Sequence, residues 1–424
     1  MKRKISLSTT ITLVLLTMAL TISLTMLLAM RHFNNQLQLV STRQQMYSYV
    51  HDVDQKVRAC YPQLNEDELR KGITQGYIYA LNDPYAVYYD PVRYASEQMR
   101  LSGKASSIGI TLTLDADKRV VVARVQPNSD AAAQGVKQGD ILLNVDGTPA
   151  ADKTLADLQN LMNTSDKLVL TVQRGDATPS FSVAKKDPAY VVRTVYDQVI
   201  GTVGYVRISA FYENTPDQFR ATISSLMEQG VTGLVFDLRG NAGGSPEAVQ
   251  EMLGYVMPIG VYGTITDVNG NVTKLSTSVN NQLSVSTVTL VNSGTAGEAE
   301  FFAGVLQDAG FTTVVGQTTA GKAKYQDFFT IESDYSAVKL TVGSYGLMKS
   351  GSWQDKGIVP SVVAELPPEQ ASIYQLLSPE DDAQVKVALD QITDSDLPTL
   401  QNSTTTTAAG ETTTTTAAST TAAQ

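Results

Sequence analysis

Apolar and polar positions divide the chain into stretches with different periods. After the basic start Met1-Lys2-Arg3-Lys4, the run from Ile5 to Met30 is uncharged and mostly apolar. At about 1.5 Å per helical residue it exceeds the roughly 30 Å hydrocarbon core of a bilayer. Residues 1–30 therefore read as a cytoplasmic basic start and an uncleaved single-pass anchor in the cell membrane, with the bulk of the chain on the extracytoplasmic side. A cleaved signal peptide is the rival; its apolar region would be shorter and end in an A-x-A-like site, whereas this run ends Leu28-Ala29-Met30-Arg31. Residues 31–104 are polar and helical in tone, with Asn65-Glu66-Asp67-Glu68 opening a helix through Ile73, Tyr77 and Leu81. Later the pattern alternates. Gly204–Ile208 is a strand, and Thr215-Pro216 starts a helix with Phe219, Ile223, Leu226 and Met227 on one face. Gly233–Arg239 is a buried strand, as is Thr287–Val291. A helix with Phe301, Phe302, Val305, Leu306 and Ala309 on one face follows and closes at Gly310, and Thr312–Val315 is another strand. Strand and helix in alternation predict an α/β core over 187–392. Residues 393–424 are mostly threonine and alanine, with little to bury, and read as a disordered tail.

Composition narrows the chemistry. A chain of 424 residues, 42% hydrophobic and 17% charged, holds two or three ordinary globular domains. Its net charge of −10 argues against nucleic acid as a partner. The two histidines, His32 and His51, both precede the α/β region, which excludes a Ser-His-Asp site or a His-ligated metal there. The single Cys60 can form no internal disulfide and reads as a small buried hydrophobe.

Between Asn292 and Gln326 the spacing becomes specific. A strand, the turn Ser293-Gly294-Thr295-Ala296-Gly297 and a helix N-terminus bring free N–H groups together, the setting in which a nucleophile and an oxyanion site can be built. The segment resembles the carboxy-terminal processing peptidases, or tail-specific proteases, whose active segment reads SASASE, a helix AGALQD, VVG, T-F-G-K and a Gln four residues on. Here Ala303–Asp308, Val314-Val315-Gly316, Thr319-Ala320-Gly321-Lys322 and Gln326 follow without a gap. The resemblance places the general base on Lys322, its orienting amide on Gln326 and the nucleophile on Gly297, where the hydroxyl is missing. It further places the oxyanion N–H groups on Gly243, in Asp237-Leu238-Arg239-Gly240-Asn241-Ala242-Gly243-Gly244, and on Glu298. Asp237 and Arg239 read as a structural ion pair holding that loop.

Other segments extend the resemblance. Asn82-Asp83-Pro84-Tyr85 and Tyr88-Tyr89-Asp90-Pro91 resemble the family's D-D-P-Y-S-x-Y-x-D-P and read as a helical lead-in with no further role. Lys356–Pro360 resembles its K-G-I-x-P, and Asp382–Leu389 its closing helix. Gly135–Gly147 resembles the motif of the family's PDZ domain, so 105–186 is expected to be a β-rich PDZ-like insert. Its Ser107-Ile108-Gly109-Ile110 would receive a peptide carboxylate on backbone N–H groups, with Ile108 and Ile110 lining the pocket and the adjacent strand edge pairing with the peptide. A module that only packs against its neighbour is the alternative.

The predicted fold class is thus a mixed α/β tail-specific protease core with an inserted PDZ-like domain, an N-terminal transmembrane helix and a disordered C-terminal tail. Two functions stand: a membrane-anchored pseudoprotease that binds protein C-termini, and an active serine-type endopeptidase cleaving extracytoplasmic proteins near their C-termini. The second needs another hydroxyl; Thr295, two residues upstream, would be displaced by some 6 to 7 Å, against the ~3 Å that proton transfer to Lys322 requires. A carboxylate hydrolase through Asp237 and Glu247 would need a paired geometry that the sequence does not support. No cofactor or metal is implied, and a homo-oligomer is neither specified nor excluded.

Overall fold

The computed structural model describes residues 7–186, 189–277, 283–371 and 373–392. The Thr/Ala tail expected from 393 onward lies outside the described residues, as do Met1–Ser6. Two compact units divide the chain, Met1–Ala80 and Leu81–Gln424.

In the first unit one helix runs from Leu7 to Cys60, and its Ile11–Phe33 portion is long and apolar enough to cross a membrane, with mean hydropathy 2.3. Arg58 closes this unit's helix corner through a bidentate bond to Glu66, at 2.6 and 2.9 Å. The next helix, Glu66–Tyr79, is capped by the Asn65 side chain, which accepts from the N–H groups of Asp67 and Glu68. Cys60 is exposed, which corrects the expected burial: it is the last residue of the long helix, where the adjoining residues 58–61 are exposed as well.

The second unit contains the α/β core expected from the alternating pattern. Six strands lie in the order 195–200, 203–208, 233–237, 286–291, 313–316 and 362–363; the first pair is antiparallel and the rest are parallel. Both faces are covered, so the central strands Gly233–Asp237 and Ser286–Val291 are largely apolar on both faces, with the buried Asp237, Thr287 and Thr289 as polar exceptions. Leu234 and Phe236 point to a large cluster with Phe219, Ile223, Phe302 and Leu306, from helices Thr215–Glu228 and Glu298–Ala309. Val235, Val288 and Leu290 point the other way, against Val385 and Ala388 of helix Ala383–Asp390. A second, antiparallel sheet is built on the long strand Ser336–Leu347, which pairs with Val87–Tyr89, Gly260–Asp267 and Lys324–Ile331. Val87–Tyr89, within the 82–90 segment, is therefore a strand of this second sheet rather than part of a helical lead-in; its β-branched and aromatic residues suit a strand once Ser336–Leu347 offers an edge.

The β-rich insert is a sheet in the order 110–114, 120–125, 141–145, 167–173 and 180–184, all antiparallel. Helix Leu155–Thr164 covers it, and Leu158 and Met162 complete a separate core with Ile108, Leu142 and Leu170.

Candidate active site

At the carboxyl ends of strands Gly233–Asp237 and Ser286–Val291, two loops meet beside the start of helix Glu298–Ala309. Gly297 is the residue before this helix, at φ 62° and ψ −122°. That backbone region is strained for residues with a side chain, yet space is open: a Cβ there would lie 3.7 Å from the Ala242 carbonyl oxygen and 3.9 Å from Lys322 Cδ. The chain thus holds room for a side chain facing Lys322 without supplying one.

Lys322 Nζ donates to Gln326 Oε1 at 2.9 Å, and Gln326 Nε2 donates to the Tyr85 carbonyl at 2.7 Å. The ammonium also stands 4.9 Å from the centroid of the Tyr85 ring. The structure brings Lys322, Gln326 and Gly297 together, and adds Tyr85 to them.

Glu300 holds this geometry. Fully buried, its carboxylate accepts from the backbone N–H groups of Gly297 (3.0 Å), Gly321 (2.7 Å) and Lys322 (2.8 Å), and from the Thr319 hydroxyl. One side chain thereby ties the helix N-terminus to the loop that carries the lysine. Its position in the SASASE-like segment was the available sequence signal.

The oxyanion side is arranged differently from expectation. Gly243 N–H is not free: it donates to Asn241 Oδ1 at 2.9 Å, because the buried Asn241 side chain, anchored on the Ile208 carbonyl, closes a tight turn over it. The neighbouring Gly244 N–H donates to the carboxylate of Glu298 at 3.0 Å, and the Tyr345 hydroxyl reaches the same carboxylate at 3.4 Å. Burial, and then the Glu298 charge, hold the Tyr345 phenol well above its ordinary pKa, so it serves as a donor. The Glu298 backbone N–H has no hydrogen-bond partner among the described residues.

Other hydroxyls near the turn are engaged. Thr295 is fully buried, donating to the Leu238 carbonyl at 2.9 Å and accepting from Asn292 N–H at 3.1 Å. Ser245 caps helix Pro246–Val256 and donates to Glu247. Beside them lies a cleft of about 120 Å³, lined by Gly244, Glu298, Tyr325, Gln326 and Lys339. Burial, then the Lys322 charge, lower the Lys339 pKa.

In the β-rich module, Ile108 and Ile110 are buried in the module's own core instead of lining an open pocket, because helix Leu155–Thr164 packs directly on strand Ile110–Leu114. Ile108 N–H donates to the Met162 carbonyl at 3.2 Å. The strand edge is also filled: Gln159 Nε2 donates to the Ile110 carbonyl at 3.0 Å, and Gln159 Oε1 accepts from Leu112 N–H at 2.8 Å. Gly109, at φ 86°, needs its hydrogen, since a Cβ would fall 2.2 Å from Ser129 Cβ. Ser107 shares a 3.0 Å hydrogen bond with the Tyr190 hydroxyl.

Residues 202–364 match the family model for peptidase family S41, and residues 98–173 that for the PDZ domain. The carboxy-terminal processing protease CtpA of Bacillus subtilis (strain 168) is 31% identical over 316 residues, 72% of this chain and 66% of that protein. CtpB of the same organism is 29% identical over 312 residues, 72% of this chain and 64% of that protein, so the chain spans somewhat under two thirds of these relatives' own lengths. A solved structure from Bacteroides fragilis NCTC 9343, described as an S41 protease, covers 73% of this chain and 86% of its own with a TM-score of 0.56; at 16% identity the likeness is one of fold. The matches to the models for peptidase family S41 and the PDZ domain, with relatives named carboxy-terminal processing proteases, show that this chain belongs to the carboxy-terminal processing proteases of peptidase family S41.

Proposed function

We propose that this chain is a membrane-anchored member of the family that holds protein C-termini through its PDZ domain and has lost peptidase turnover. One observation carries the reading. At Gly297 the structure leaves space for a side chain against Lys322, and the chain supplies none. In a Ser-Lys dyad the lysine takes the hydroxyl proton while the oxygen attacks the scissile carbonyl; with glycine there is no oxygen to attack. Thr295 cannot replace it, because its hydroxyl is buried and turned into the Leu238 carbonyl. Glu298 adds a second obstacle, since its carboxylate, held by the Gly244 N–H, stands against Gly243 and sets a negative charge beside the region where the oxyanion would form. The test is to incubate the chain with a peptide bearing a free carboxylate and apolar last residues: binding without cleavage is expected. Cleavage that Thr295→Val abolishes would overturn the reading and favour an active endopeptidase.

Within the same reading, the Gln159 amide stands in for a bound peptide by satisfying the strand edge. Gln159→Ala frees one donor and one acceptor, each worth about 1 kcal/mol net, and should tighten binding of such a peptide by roughly thirtyfold. Fluorescence anisotropy against the amidated peptide checks this; unchanged affinity, or equal affinity for acid and amide, counts against a groove at this edge.

The Ile11–Phe33 helix supports anchoring by its length and composition. Deleting residues 1–30 should move the protein from the membrane fraction to the soluble one. A mature chain beginning near Arg31 would instead identify a signal peptide.

A further inference from the structure

A cavity beside the PDZ domain lies away from the Gly297 site and is lined by two arginines that form no salt bridge among the described residues. It encloses about 500 Å³, lined on the PDZ side by Arg124, Val136 and Lys137 and on the core side by Tyr196, Arg207 and Leu377. Such a volume suits a small organic ligand.

Arg124 stacks on Tyr196, its guanidinium carbon 4.8 Å from the ring centroid, and Arg207 faces Tyr374 at 5.7 Å. Among the described residues no carboxylate forms a salt bridge with either, and the buried Arg207 Nε has no hydrogen-bond partner. The nearby acids are engaged elsewhere. Asp197, the one carboxylate lining the cavity, binds Arg193 at 3.0 Å. Asp237, opposite Arg207 in the parallel register, feels the Arg207 charge but accepts its hydrogen bonds from Arg239 and the Tyr205 hydroxyl, so it leaves the Arg207 guanidinium without a carboxylate hydrogen bond. Burial, and then repulsion from Arg207, lower the Arg124 pKa. Two guanidiniums that disfavour each other are kept side by side around a cavity, and arginine forks match carboxylate and phosphate oxygens.

We propose that this cavity binds a small organic anion through a carboxylate or phosphate group shared between Arg124 and Arg207, joining the PDZ domain to the α/β core. The anion would supply the acceptor that Arg207 Nε lacks, and its apolar part would rest on Val136 and Leu377. This inference is independent of whether the Gly297 site turns over.

The experiment follows thermal unfolding of the full chain, in a phosphate-free detergent at fixed ionic strength, against inorganic phosphate and, separately, succinate. A midpoint that rises with either anion supports the site, and the more effective of the two identifies the group. Arg124→Met keeps the side chain's packing on Tyr196 and removes the fork. It should weaken the apparent affinity by roughly ten- to a hundredfold, without lowering the anion-free midpoint, because no ion pair is lost. Line broadening of the phosphate ³¹P resonance by the unmodified chain, reversed by succinate, reads binding with no variant. Midpoints independent of both anions, absence of broadening, or an equal response after Arg124→Met and Arg207→Met would overturn the proposal.

Discussion

Gly297→Ser is expected to convert a chain that binds peptides into one that cuts them, with a gain measured in powers of ten. Loss of the nucleophile in acyl-transfer enzymes costs about a millionfold in turnover, and here the lysine and its orienting amide are in place. The new Cβ would stand 3.9 Å from Lys322 Cδ, and Lys322 is already fixed by Gln326, itself fixed on the Tyr85 carbonyl. The backbone at φ 62° costs a serine about 1–3 kcal/mol of strain, which the buried Glu300 network must hold against. Full activity is not expected from this change alone. The Glu298 carboxylate stands against Gly243 and sets a negative charge beside the expected oxyanion region, an effect comparable to removal of one oxyanion donor, which costs about 10² to 10³ in turnover. Gly297→Ser with Glu298→Ala should therefore exceed the single variant by about that factor, and adding Lys322→Ala should abolish both activities. Initial rates on a fluorogenic tail peptide measure this. A parent rate equal to that of the serine variant would show that the site never depended on position 297.

These variants were legible because hydrophobic period and motif spacing are local. The strand ending at Val291, the helix bounded by Gly297 and Gly310, and the distance from there to Lys322 could all be read without coordinates. What could not be read depends on partners far along the chain. Tyr85 serves Gln326 only because strand Val87–Tyr89 joins the edge of Ser336–Leu347. Glu300 looks like an ordinary acidic residue in a first helical turn until the loop at 319–322 folds onto it. Gly243 fails as a donor for a short-range reason, the Asn241 side chain closing over it, which the letter pattern cannot distinguish from an open loop. Gln159 hides the strand edge by the same kind of bond: an amide matches a peptide unit, so a helix side chain can stand in for a missing strand. Cys60 shows the converse limit, since its residue type favours burial but its place at the exposed end of the long helix prevents it.

Arg239→Met is expected to cost the fold about 3–5 kcal/mol, the penalty for leaving buried carboxylates without their counter-charge. Arg239 is almost fully buried and binds Asp237 through Nε (2.9 Å) and Nη2 (2.7 Å), Asp382 through Nη1 (2.8 Å) and the Gln384 amide oxygen (2.9 Å). Gln384 in turn donates to the Ala364 carbonyl, and Asp382 caps helix Ala383–Asp390, so this one guanidinium ties the loop before Gly243 to the closing helix. The sign of the pH response separates this role from simple packing. Burial alone would raise the Asp237 pKa; the charge and hydrogen bonds of Arg239, with smaller contributions from the Arg207 charge and the Tyr205 hydroxyl, outweigh it and hold the carboxyl well below the usual carboxylate range. A depressed carboxylate contributes stability that is fully present above its unfolded value, near 3.8, and is lost only as pH falls through the lower folded value. Between about pH 5 and 8 the parent should therefore show no change in midpoint from this group. With methionine at 239, burial is left to act on Asp237 with less to oppose it. Its folded pKa rises, and a carboxyl raised above its unfolded value loses stability as pH increases through that value. The variant should then melt progressively lower than the parent from pH 5 to pH 8, and Arg239→Met with Asp237→Asn should recover much of the difference at pH 8. A deficit that is the same at every pH, or that the second change deepens, would mean that Arg239 acts by filling space and not by neutralising Asp237.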